Sequence, residues 1–419
     1  MKKFLLCVAA IMLLVFVSSA FGSINDDLLK AVKDNNTTPQ DIQDFIKLSA
    51  DVNAIDNESL TVLMLAAMNS SNPEVIKTLI SSGADVNAKD KDNDTALIGA
   101  AWKNENPEII KTLIDLGAEV NAKDNIGFSA LITAAMNNVN PEVIKTLISA
   151  GADVNVKENM GRTSLMLATC NSNDVEVINI LINAGVEIDT KDNEGFTALM
   201  IASMFNSNDK GIKTLINASA DVNAENKNGE NALMLAVRYN RSLEIIKTLI
   251  NAVSNIDAKD KEGETALMKA VSNNRLEVIK ALINAGADVN AWDKTHWTPL
   301  IMAARRNSGS EVIKTLVNAG AYVDSQNQFG ETALMWMVAN NNDPELIKFI
   351  IDSGAGVNHK SKSGHTALMA AAFKNSSPEV IQVLIKAGAD VNAKNDAGKT
   401  ALDYAQNDEI KKILIDSAQ

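Results

Sequence analysis

Cysteine is almost absent: the 419 residues hold two, Cys7 and Cys170. Cys7 lies in an N-terminal stretch that reads as removable, which leaves one thiol and no internal disulfide. Histidine is as scarce, with His296, His359 and His365 only. A zinc site needs three or four ligands. His359 and His365 stand six apart with no cysteine or paired carboxylates near them in sequence, so both read as exposed turn residues. Positive charge is short too, with 39 Lys and Arg against 52 Asp and Glu and a net charge of −13. A chain of that sign repels phosphate backbones and anionic membrane surfaces, so nucleic acid is not an expected partner. No glycine-rich phosphate loop or serine-centred nucleophile motif occurs. Cys170 has no histidine near it in sequence to act as its base. Acidic stretches such as Asp90-Lys91-Asp92-Asn93-Asp94 lack the closing glutamate of an EF-hand loop and read as polar turns. The expectation is therefore no catalytic residue, no metal and no cofactor; the chain does not read as an enzyme.

Long apolar runs are missing beyond the first twenty-odd residues. Lys2 and Lys3 open the chain, Phe4 to Val17 is uninterruptedly apolar, and small residues follow around Ala20 and Gly22. That is the layout of a secretory signal peptide over residues 1–22. The apolar run falls short of the roughly 20 residues that span a bilayer; an uncleaved anchor helix is the alternative. The expected destination is the periplasm or the medium, with no membrane insertion after cleavage and a monomeric chain.

What is abundant is repetition. A Thr-Ala-Leu-Met-like block recurs with its first residue at Thr61, Thr95, Ser129, Thr163, Thr197, Asn231, Thr265, Thr298, Thr332, Thr366 and Thr400. Every spacing is 34 residues except Thr265 to Thr298, which is 33. A fixed period of this length is the mark of a solenoid. The Thr, Ser or Asn reads as a helix N-cap. A polar loop follows, then Pro-Glu at Pro73, Pro107, Pro141, Pro344 and Pro378 opens a second helix, at the one helical position where a missing N–H does no harm. Pro39 and Pro299 obey the same rule, which accounts for all seven prolines. The second helix carries an apolar stripe, as in Val75, Ile76, Leu79 and Ile80, with Glu74 and Lys77 on its wet side. It ends at Gly-Ala-Asp-Val-Asn-Ala, whose glycine suits a left-handed cap.

Gly-x-Thr-Ala-Leu, Glu-Val-Ile-Lys-x-Leu-Ile and Gly-Ala-Asp-Val-Asn-Ala together resemble the ankyrin repeat, over about residues 24 to 417. The resemblance implies an all-α repeat solenoid of stacked helix-turn-helix units with β-hairpin-like tips. On this reading residues 23–419 form one domain of about twelve repeats, with cap units at 24–55 and 395–419. The chain departs from the family in two ways. Apolar Met or Ile stands where the family has histidine after Thr-Pro-Leu, and Ser219 and Val253 replace the cap glycine. A β-branched residue disfavours the left-handed conformation, so a distorted tip is expected near Val253 to Ile256.

In ankyrin proteins the tips and first helices form the concave surface that meets partners. The positions free to vary among the copies here are the residue before each N-cap and those ending the first helix. Phe128, Phe196 and Trp297 occupy the first kind, and Phe329 and Trp292 lie three and six residues before a cap. Trp102, Phe205, Tyr239 and Phe373 end first helices, and Arg162, Arg238, Arg305 and Arg306 share these positions. Tryptophan, tyrosine and arginine dominate protein–protein hot spots. The expected interface is therefore Trp102, Phe128, Arg162, Phe196, Phe205, Tyr239, Trp292, Trp297, Arg305, Arg306, Phe329 and Phe373, densest from Trp292 to Phe329. The alternative is that these rings pack on neighbouring tips. Arg305-Arg306 suggests a partner with a carboxylate or an acidic patch. The chain is thus expected to be an exported scaffold that binds protein. Its partner is either an envelope protein of its own cell or, for a secreted effector, a host protein.

Overall fold

The structure is a computed structural model of the chain and describes residues 23–418, except 138–139, 172–174 and 375–376. The proposed signal segment lies outside the described residues. Among those described, 24 helices follow one another from Ile24–Ala31 to Asp408–Ser417, and the only bridges are three isolated ones at the tips. The helices fall into consecutive pairs, and the strongest contacts join each helix to its own partner and to its equivalent in the adjacent repeat. This is the all-α repeat solenoid. The chain divides into two compact units, one running to Ala202 and including Lys210–Ala220, the other comprising Ser203–Asp209 and everything from Asp221 onward.

The two helices of a repeat bury themselves differently, and the sequence says why. Val62–Asn69 is apolar on every side and buries six successive residues, Val62 to Ala67. A helix apolar all round has to be enclosed, and this one is covered by its partner helix and by the first helix of the next repeat. Pro73–Ser81 buries only Val75, Ile76 and Leu79 and leaves the Lys77–Glu74 pair, 2.7 Å apart, in water. Truncating a buried leucine such as Leu79 to Ala would cost about 2–5 kcal/mol.

Local signals hold as read. Thr61 Oγ accepts the Met64 N–H at 3.2 Å, and Thr95, Asn231, Thr298, Thr332 and Thr366 cap in the same way. Each proline sits at the start of a helix. Gly83 has φ +100, and the turn it makes closes with Gly83 N–H to Ile80 O and Ala84 N–H to Leu79 O, both 3.0 Å. Ser219 reaches the left-handed region at φ 69. Val253 does not: it is extended, at φ −68 and ψ 142, and the helix before it runs Leu243–Ala252. The expected distortion is there, and its cause is the Cβ branch.

Two polar devices build the tips. Asp90 Oδ1 accepts the N–H groups of Asp92 and Asp94, each at 2.8 Å, so the acidic stretch is a turn closed by its first carboxylate. Asparagines then tie tip to tip. The Asn87 amide donates to Gly117 O at 3.0 Å and accepts from Glu119 N–H at 2.9 Å. Asn53 and Asn121 repeat this in the first compact unit, and Asn290 and Asn358 in the second.

Candidate protein-binding face

Within each compact unit the tips and first helices lie side by side, and three openings among them, one in the first unit and two in the second, carry the chemistry. Each is lined by the residue before the N-cap and the fourth and seventh residues after it, together with tip residues and, in two of the three, the third residue after the cap.

The first opening, in the first compact unit, is an apolar pocket of about 300 Å³. Met64, Met68, Ile98, Trp102, Phe128 and Met136 line it together with Asp94. Gly99 keeps it open, since a Cβ there would sit 3.1 Å from Met68 Cγ. Trp102 is exposed, whereas Phe128 is buried at 8 % exposure against Ile132, Val156 and Leu167. The Asp94 carboxyl is pushed up to about 6, first by burial and then by Asp90, Asp124 and Asp92.

The second opening, about 480 Å³ in the second compact unit, is ionic. Lys269 is buried, with Nζ 2.6 Å from Asp260, 3.1 Å from Glu264 and 3.6 Å from Glu230. Arg238 meets Glu230 at 3.1 Å. Burial alone would lower the Lys269 ammonium, but its bonds and charges with Asp260 and Glu264 outweigh that and hold it above the usual lysine range. Arg306 lines the same opening.

The third opening, also in the second compact unit, is aromatic and holds about 390 Å³. Trp336, Phe373 and Tyr404 line it, with Met335, Met369, His365 and Glu331. Phe373 and Tyr404 meet edge to face at 5.9 Å. Asn395 donates to the Tyr404 hydroxyl at 2.7 Å, which frees that hydroxyl to donate to His365 Nε2 at 3.1 Å. His365 Nδ1 then donates to Ser363 Oγ at 2.8 Å. Both ring nitrogens are spent, so His365 is a half-buried structural residue rather than an exposed turn histidine. His359 pairs separately with Asp324 at 3.2 Å. Among the described residues no cluster of three or more His, Cys, Asp or Glu is placed to hold a metal. Cys170 is half-buried, and burial pushes its thiol up, against the pull of Arg162.

The structure brings together only part of the sequence-derived set. Arg305 lies over the Trp297 ring at 4.8 Å and over the Trp336 ring at 5.6 Å, and the two tryptophans are 5.6 Å apart. Trp297, expected to face water, is 8 % exposed. It packs on Trp336 of the next repeat, which is the alternative the sequence left open. Trp292 instead stacks on His296 at 4.5 Å, under Lys259. Arg162 is bonded to Glu158 at 3.1 Å, and Phe196 is half-buried. Phe205, Tyr239, Phe329 and Phe373 are at least half exposed.

Sequence reasoning missed Lys269, Trp336 and Tyr404, which all stand four residues after an N-cap. That column also holds Leu65, Gly99, Thr133, Ala370 and others of unlike size and polarity. Its variability was the available signal, masked because most copies carry an apolar residue that passes for core.

Among the described residues no helix is long and apolar enough to cross a membrane. No curated protein matches the chain. The family model for ankyrin repeats, which spans three copies, matches residues 28–124, 101–192, 131–226, 170–260, 233–327, 300–395 and 334–419, overlapping from end to end. On that unbroken run of matches, the chain belongs to the ankyrin-repeat family.

Proposed function

We propose that this protein is an exported scaffold that holds an envelope protein of its own cell on its tip-and-first-helix face. Repeats of this family are generally protein–protein interaction modules. The observation that carries the reading is the exposure of Trp102, Phe205, Tyr239, Phe329 and Phe373, each at least half open to water. Single exposed apolar residues are ordinary, but four of these five recur at the position that ends a first helix, and exposed apolar groups gathered on one kind of position mark interaction sites. Export rests on the layout of residues 1–22, which puts the repeats where envelope proteins are.

The test has two arms. Fractionation of the source cells should place the protein outside the cytoplasm, with a mature N-terminus near Ser23; a cytoplasmic protein that starts at Met1 refutes export. The purified protein should capture one envelope protein. A variant with Phe205, Tyr239, Phe329 and Phe373 changed to Ser, its helical circular dichroism intact, should lose it. Equal capture by the variant refutes the face. A partner found only in host extract moves the assignment to a secreted effector.

A further inference from the structure

We propose that the aromatic opening over the last three repeats takes a bulky apolar side chain from an acidic segment of a partner protein. The proposal rests on the reading of the chain as a protein-binding scaffold and adds the location and the chemistry of the occupant.

The first argument is that the polar groups in the opening are already engaged. Trp336 Nε1 donates to Glu331 Oε2 at 3.2 Å, and Asn327 donates to the same oxygen at 2.8 Å. Tyr404, His365, Asn395 and Ser363 satisfy one another. An occupant therefore finds ring faces and methionine side chains, and a polar one would lose its water without replacement. The volume, about 390 Å³, lies at the low end for ligand sites. It suits one bulky side chain and its neighbour.

The second argument is charge. Each wall ring already has a cation over it: Arg305 over Trp336 at 5.6 Å, Lys374 over Phe373 at 5.7 Å and Lys399 over Tyr404 at 5.6 Å. None of the three cations has a carboxylate within ion-pair distance among the described residues, and all three are exposed. Of the acids on these repeats, Glu331 is engaged by Trp336 and Asn327, and both Asp403 contacts run through one oxygen, to Thr400 N–H and Oγ at 2.7 and 3.0 Å. In a chain of net charge −13, three cations with no ion-pair partner among the described residues thus stand over the rings of one opening. A cationic occupant would meet rings whose attraction for cations is already used, and three like charges. A segment with Asp or Glu on either side of its anchor meets complementary charge.

A displayed library of random twelve-residue peptides, selected on the purified full-length protein, tests this. Enriched peptides should carry a Trp, Phe or Leu flanked by Asp or Glu. Made synthetically and read by fluorescence anisotropy, they should bind at least tenfold more weakly to Trp336→Ala and to Phe373→Ala. The surface variant Lys374→Gln with Lys399→Gln, which disturbs no buried group, should weaken them at least threefold, and that difference should shrink in high salt. Enrichment of basic peptides overturns the proposal. So do acidic peptides that bind all variants equally, and so does a selection that yields no binder. If envelope capture by the native protein persists in those cases, only this inference fails; if capture fails as well, the scaffold reading falls with it.

Discussion

Asp94 is half-buried in the methionine-lined pocket, and among the described residues no hydrogen bond or ion pair holds its carboxylate in place. Its carboxyl rises from 3.8 to about 6, with burial the largest cause and the charges of Asp90, Asp124 and Asp92 behind it. The folded chain thus holds this proton more tightly than the unfolded chain. Stability from this group falls as pH rises from about 4 to about 6 and is level above that. Two units at about 1.4 kcal/mol each give a ceiling of about 3 kcal/mol. Solvent screening at a half-exposed site lowers this to about 1–2 kcal/mol. Asp94→Asn keeps the shape and removes the charge, so at pH 8 it should stabilise the first compact unit by about 1–2 kcal/mol. The gain should roughly halve at pH 5 and fall to about a fifth at pH 4, where the folded group is neutral and the unfolded one is still about half ionised. The assay is a urea titration followed by Trp102, which lines the same pocket, with Trp292, Trp297 and Trp336 replaced by Phe. A local probe is needed because repeat arrays need not unfold as one. A gain of equal size at pH 8 and pH 4, or no gain, would refute the reasoning.

Three further outcomes follow from the geometry. Lys269→Ala leaves Asp260, Glu264 and Glu230 facing one another without their central cation; it should cost about 3–5 kcal/mol in thermal or urea unfolding, and a loss under 1 kcal/mol would show the cluster is better hydrated than its burial indicates. Gly83→Ala meets nothing within 4 Å and should cost about 1–2 kcal/mol for its φ of +100 alone. Gly161→Ala would place its Cβ 2.9 Å from the Asn193 backbone nitrogen, so its unfolding midpoint should drop further than that of Gly83→Ala. Cys170, with its thiol pushed up by burial, should react with a maleimide at pH 7.5 several times more slowly than free glutathione and recover an ordinary rate in urea; equal native and unfolded rates would contradict its placement.

Most of the fold was legible because each instruction is local and repeated. An N-cap, a proline, a cap glycine and an apolar stripe act within a few residues of themselves, and Val253 betrayed its distorted tip by the same local rule. The surroundings of the candidate face were legible only in outline. Position in the repeat indicated that Trp102, Phe373 and Arg305 would be exposed, but it said nothing of what lies across the boundary between repeats. Trp297 is buried because Trp336, 39 residues on, covers it. Lys269 passed for a core position because most copies carry an apolar residue there. His365 loses its exposure to Tyr404, again 39 residues away. One period sets which way a side chain points, and its neighbour in the next period decides whether it stays in water.

The asparagine ties between tips have a consequence for how such a chain changes over generations. At Asn53, Asn87, Asn121, Asn290 and Asn358, each tie joins one side chain to two main-chain groups of the next tip. Main-chain groups are the same whatever side chain stands above them. A copy can therefore be duplicated, lost or exchanged without spoiling the seam, provided the asparagine and the glycine travel with it. The seam works as a common coupling, and the aromatic, ionic and methionine-lined stretches of the face become interchangeable cargo upon it.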